Sequence, residues 1–217
     1  MKISSRNLTA LSGITELIKR TRSLATLDTI LEPEWEFRYY SFNSKWDKGE
    51  QLASMRDGSG SFYFILFNSS GSIIKGFDRE SPLGIYNEAN GTPWRGVLDS
   101  VPSAFNEFLT EPAFFVGEAT FCLWREFNDD LWRTGSIAFP NEEDPDGSER
   151  LLYILDGDPL TFKEWAEGYH EKSIPIDSIG KIYEHRPLTD ELVQSLNPGI
   201  EMKDVIEDVE EIGYPHI

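Results

Sequence analysis

Hydrophobic positions recur near a 3.6-residue period at the start of the chain, at Leu8, Leu11, Ile14, Leu17, Ile18, Leu24, Leu27 and Leu31. That spacing predicts an amphipathic helix over about 8–31, or two shorter ones broken near Thr21, with Ser4 or Ser5 as N-cap. Glu32-Pro33 stops it, because a residue before proline is driven out of the helical region. From Trp35 the pattern changes to short apolar runs between turn residues. Strands are predicted over 35–42, 51–56, 62–67 and 72–77, parted by Asp47-Lys48-Gly49, Asp57-Gly58-Ser59-Gly60 and Asn68-Ser69-Ser70-Gly71. Connections this short make an antiparallel meander.

Beyond Phe77 the pattern predicts a loop over 78–98 and a helix over 101–109 started by Asp99 or Ser100. Strands follow at 118–125 and 134–139, then an acidic, solvated loop over 141–149 and an apolar strand over 151–155. A helix opens at Thr161 and runs to about Tyr169, with Thr161 and Glu164 at capping-box spacing. An edge strand over 174–183, a short helix over 189–196 and an acidic amphipathic helix over 201–212 complete the chain. With no internal repeat and no Gly/Ser- or Pro-rich linker, the expectation is one α+β domain over 1–217. It has an antiparallel meander, with helices packed to one side and at the termini.

Composition agrees with a folded chain: of 217 residues 39% are hydrophobic and 13% aromatic. Charge narrows the partners. The chain carries 38 acidic against 20 basic residues, a net −18, and residues 140–217 hold twenty of the acidic residues against six basic ones. Such a surface repels nucleic acid and anionic lipid and attracts cations and basic proteins. The expected partner is therefore a basic protein, with no nucleic acid and no membrane. A single cysteine, Cys122, inside an apolar run reads as a buried, inert thiol. Without a signal-peptide pattern or an apolar run long enough to span a bilayer, the expected location is cytoplasmic.

Chemistry-bearing residues are sparse. Arg56 and Asp57 in one turn, with Asp78, Arg79 and Glu80 after a later strand, fall at strand ends that a meander brings to one sheet edge. Together they form either a polar pocket for a small ligand or basic side chain, or ordinary turn chemistry with exposed ion pairs. Trp46 and Trp94 fall in turns or loops, as lids on the core or as contacts for a sugar or protein. Metal binding lacks ligands, since there are only three histidines, and Asp156-Gly157-Asp158 departs from a calcium loop at Leu160 and Thr161. No metal or cofactor is expected.

Tyr169-His170-Glu171 sets an imidazole beside an acid at a helix end, where a histidine commonly meets the helix dipole at the surface. No GxSxG, P-loop, GxGxxG or HExxH pattern occurs, so no catalytic residue is assigned and binding is expected ahead of catalysis. Lys19, Arg20 and Arg22 on the first helix either pair with the acidic last helix or leave its carboxylates free for a partner.

The segments SMRDGSG (54–60), IKGFDRE (74–80), VPSAFNEFL (101–109), TFCLWR (120–125) and LLYILDGDPLTFKEWAE (151–167) resemble an uncharacterised bacterial protein family over about residues 35–170. No activity or site residue follows from that likeness. The sheet edged by short helices and the acidity are similar to immunity proteins of the superfamily related to yeast cell-wall regulators. The −18 balance and the missing catalytic motifs make the leading expectation a protein-binding module that antagonises a basic protein such as a nuclease toxin. The alternative is a small-molecule enzyme or ligand sensor using the strand-end cluster.

Overall fold

The computed structural model describes residues 2–217 and has an α+β fold. Six strands, β1 (Tyr40–Asp47), β2 (Glu50–Arg56), β3 (Phe62–Asn68), β4 (Gly71–Phe77), β5 (Phe121–Glu126) and β6 (Arg133–Thr134), form one antiparallel sheet in chain order. The helices are α1 (Ile14–Leu31), α2 (Pro82–Asn90), α3 (Asn106–Thr110), α4 (Ser148–Leu152), α5 (Pro159–His170), α6 (Ile176–Tyr183), α7 (Asp190–Leu196) and α8 (Met202–Ile212). The chain divides into two compact units, residues 2–14 with Ser54–Tyr153, and Thr15–Ala53 with Ile154–Ile217.

In the first unit β4 is buried at every position between β3 and β5, with Ile74 opposite Ile65 on one side and Leu123 on the other. Phe62 pairs with Phe77, so the turn before β3 and the residues after β4 lie at one sheet edge, as the turn lengths predict. Three predicted segments differ. The 78–98 loop contains α2, whose start is fixed by the Ser81 hydroxyl accepting the Gly84 N–H at 2.9 Å with Pro82 in the first turn. Gly91 ends it at φ 67°.

The predicted strand over 151–155 is α4 followed by a 3₁₀ turn over Tyr153–Asp156. Five apolar residues suit either conformation; helix wins because Asp144 accepts the N–H groups of Glu149 (3.1 Å) and Arg150 (2.9 Å) and Asp146 that of Ser148 (3.0 Å). The acidic loop over 141–149 is thus solvated only in part, because Asp146 is fully buried. Of 134–139 only Thr134 pairs with β5, and the predicted 101–109 helix is a 3₁₀ turn, Ser103–Phe105, running into α3.

In the second unit α1 is unbroken at Thr21, whose hydroxyl donates back to the Leu17 carbonyl at 2.9 Å. Leu8–Ala10 forms a separate 3₁₀ turn, and Ser5 caps no helix: its hydroxyl donates to Asp146 within the first unit. Trp35–Phe37 is a 3₁₀ turn, so β1 starts at Tyr40 and contains Trp46, which therefore sits in a strand. The predicted edge strand over 174–183 is α6, entered from Pro175 with Ile179 and Ile182 buried one turn apart. α5 begins earlier than Thr161: Asp158 accepts the Leu160 N–H at 2.9 Å and Thr161 donates to Asp156, replacing the expected capping box. α7 follows Thr189 as N-cap, and α8, with Val205, Val209 and Ile212 buried, packs against β1.

Candidate functional site

The strand-end cluster assembles around a residue that sequence reasoning did not single out. Asp78 leaves β4 at the sheet edge with its side chain 4% exposed, and Arg150 on α4 grips it with Nη2 to Oδ1 at 2.5 Å and Nε to Oδ2 at 3.1 Å. The same guanidinium donates to the Ser61 hydroxyl at 3.1 Å and lies 3.8 Å from Asp57 Oδ2. The hydrogen bond to Asp78 is the main reason the guanidinium holds its proton more firmly than usual, with added attraction from Asp57 and Glu80.

Thr120 ties the cluster to the α4 entry: its hydroxyl accepts the Asp78 N–H at 3.0 Å and donates to the Asp146 carbonyl at 2.8 Å. Burial raises the Asp146 carboxyl above the usual range against the hydroxyls of Ser5 and Ser148. Of the expected residues, Asp57 and Asp78 converge. Glu80 donates its N–H to Asp78 Oδ1, and its side chain is exposed. Arg79 turns outward to Glu88 at 3.4 Å, and Arg56 ends β2 half-buried. Where an external cation would bind, the chain supplies its own.

Trp94 is a half-buried lid: its indole N–H donates to the Ala138 carbonyl at 3.1 Å and its ring meets Tyr86 edge-on at 4.8 Å. Trp46, at the solvent side of β1, is 43% exposed.

A second constellation lies in the second unit. Asp28 on α1 is fully buried, and its Oδ2 accepts the N–H groups of Tyr39 and Tyr40, each at 2.7 Å. Its Oδ1 faces His170 Nε2 at 3.9 Å, and among the described residues neither atom has a hydrogen-bond partner. Burial pushes the Asp28 carboxyl up to about 7 against the two N–H groups and Arg38, and burial pushes the His170 imidazole down. Both groups therefore favour their neutral forms. The His170 side chain, at the end of α5 beside Asp28, is only 5% exposed, contrary to the surface role expected of it. Trp165 meets Tyr40 (4.9 Å) and Tyr39 (5.2 Å) edge-on beside this pair.

Lys75 on β4 is fully buried; its ammonium lies 4.2 Å above the Phe62 ring and has no hydrogen-bond partner among the described residues. Burial pushes it down to about 7. Its register partner Cys122 is buried as expected, and burial pushes the thiol up to about 12, which keeps it unreactive.

The basic and acidic helices do not pair by charge. Arg20 donates to the Leu155 carbonyl at 2.7 Å, and Arg22 reaches Gln51 at 3.2 Å and lies over the Phe42 ring. The ion pairs of α8 are Asp208 with Arg38 at 2.8 Å and Glu201 with Lys203 at 2.6 Å. Glu207, Glu210 and Glu211 are exposed, and among the described residues no ion pair reaches them. Among the described residues no helix is long and apolar enough to cross a membrane. No protein-family model, curated protein or solved structure matches this chain.

Proposed function

We propose that this chain is a protein-binding module whose partner is a basic protein, engaged through the carboxylates of α8. The observation that carries the reading is where those charges stand. Glu207 and Glu211 are four residues apart and Glu207 and Glu210 three, spacings at which like charges repel on a helix surface. Glu210 and Glu211 also lie in the last turn, where the helix dipole disfavours anions and no basic residue answers them. The apolar face is already buried through Val205, Val209 and Ile212, so folding does not require these carboxylates. A cationic partner would relieve the repulsion and associate quickly at low salt.

The net −18 makes a cationic nuclease toxin the partner class within this reading, and a cytoplasmic location belongs to the same reading. An enzyme or ligand sensor built on Asp57 and Asp78 has less support, because Arg150 already saturates Asp78.

The test is affinity capture on the immobilised full chain at about 50 mM and about 500 mM salt, a range across which screening becomes severe. A basic protein retained only at low salt, and lost from a chain carrying Glu207→Gln, Glu210→Gln and Glu211→Gln together, is the expected result. Absence of any salt-labile basic protein, or equal retention by the triple variant, overturns the reading.

A further inference from the structure

Trp35 stands 59% exposed on the 3₁₀ turn before β1, between the exposed carboxylates of Glu34 and Glu36. A lone exposed apolar residue is ordinary on a protein surface, but the turn that carries this indole is held in place. The Phe37 N–H donates to the Glu34 carbonyl at 3.0 Å and the Arg38 N–H to the Trp35 carbonyl at 3.3 Å. The Tyr169 hydroxyl donates to the Phe37 carbonyl at 3.1 Å, and the Tyr39 N–H to Asp28 at 2.7 Å. A turn fixed at this many points has little ordering left to lose on binding.

The same turn is joined to α8. Arg38 Nε donates to the Glu32 carbonyl at 2.7 Å, and its Nη2 donates to the Pro33 carbonyl at 2.6 Å and to Asp208 at 2.8 Å. Trp35 and Glu211 line one narrow cleft of about 60 Å³, together with Arg38, Tyr40, Phe42 and Asp208. That is far below the size of a small-molecule site, so the cleft suits the end of a single side chain. Arg38 and Asp208 balance each other's charge, which leaves Glu211 as the net charge of the lining.

We propose that Trp35 and Glu211 form the seat of an arginine side chain of the basic partner, its guanidinium lying over the indole face with its charge against Glu211. This role rests on α8 being the surface that the basic partner meets, and it adds the residue type by which that partner is recognised. A planar, weakly hydrated guanidinium stacks on an aromatic face better than a strongly hydrated ammonium does. Tryptophan is also among the residue types that dominate interface energies. A second copy of the chain is disfavoured as the occupant, because two molecules each at net −18 repel.

The probe is a capped heptapeptide of alternating glycine and arginine, with lysine and glutamine counterparts, added to the full ¹⁵N-labelled chain at about 50 mM salt. Both basic peptides should shift the amides of Glu207, Glu210 and Glu211, as the α8 reading requires. Only the arginine peptide should also shift the Trp35 indole N–H, and it should bind about fourfold more tightly than the lysine peptide. Trp35→Leu, at an exposed position, keeps an apolar body and should abolish the arginine preference while leaving lysine affinity within about twofold. Trp35→Phe, which keeps an aromatic face, should retain part of the preference. Equal affinity for the arginine and lysine peptides, with the α8 shifts intact, overturns the arginine seat and leaves the α8 reading standing. No α8 shift with either basic peptide overturns both. A Trp35 shift of equal size with the glutamine peptide marks an apolar occupant and overturns the proposal, as does a Trp35 signal that moves on dilution of the chain alone, which marks a second copy.

Discussion

Gly147 lies so close to Asp78 that a Cβ built on it would fall 1.9 Å from Asp78 Oδ2. Its φ of 72° adds a second constraint, since a side chain there would be strained even with room. Gly147→Ala must therefore displace the carboxylate that Arg150 holds. We expect a loss of about 3 kcal/mol, measured by urea denaturation.

The Asp78–Arg150 pair is read as an internal fastening, which separates its variants from those of the neighbouring surface pair. Asp78→Ala or Arg150→Ala should cost about 2 kcal/mol, less than for a fully buried pair because Arg150 is 44% exposed. Arg79→Ala, whose pair with Glu88 is exposed on both sides, should change stability by less than about 1 kcal/mol. Denaturation midpoints of the three variants check this order.

Asp28 makes stability depend on pH in a stated direction. Its carboxyl is raised from its ordinary value near 3.8 to about 7 in the folded chain, so the fold binds this proton more tightly than the unfolded chain does. Stability from Asp28 is complete below about pH 4 and is lost as pH rises through about 7. Asp28→Asn keeps the acceptor for Tyr39 and Tyr40 and removes the ionisation. Relative to wild type it should gain on the order of 2 kcal/mol between pH 5 and 8, measured by thermal melts of the two proteins across that range.

Lys75 carries the opposite sign. Its ammonium is depressed from 10.5 to about 7, so the folded chain prefers the neutral amine, and stability climbs as pH rises from 7 towards 10.5. Lys75→Met should stabilise the protein by about 2 kcal/mol below pH 7 and by progressively less in alkaline solution, read from guanidinium midpoints against pH.

β2, β3 and β4 were legible because their boundaries are written locally: each turn carries Asp or Asn with a glycine, and alternation does the rest. α2 carried equally local signals, Ser81-Pro82 at its start and Gly91 at its end, but the density of loop-favouring residues between them concealed it. The 151–155 and 174–183 segments were ambiguous in principle, since short apolar runs fit helix and strand alike until capping contacts decide. Asp57 and Asp78 could be placed together from the meander alone. Arg150 could not, because it stands 72 positions from Asp78 and no periodicity marks a guanidinium for a distant carboxylate. His170 was noticed for its neighbour Glu171, whereas its partner Asp28 lies on the first helix.

The enclosure of β4 on both edges and both faces sets an order of events during synthesis. Its ladder with β3 needs only a hairpin, but the opposite ladder waits until Phe121–Glu126 has left the ribosome. Until then Lys75 and the apolar residues around it stand in water, and a nascent chain halted after α2 presents an unpaired edge to its neighbours.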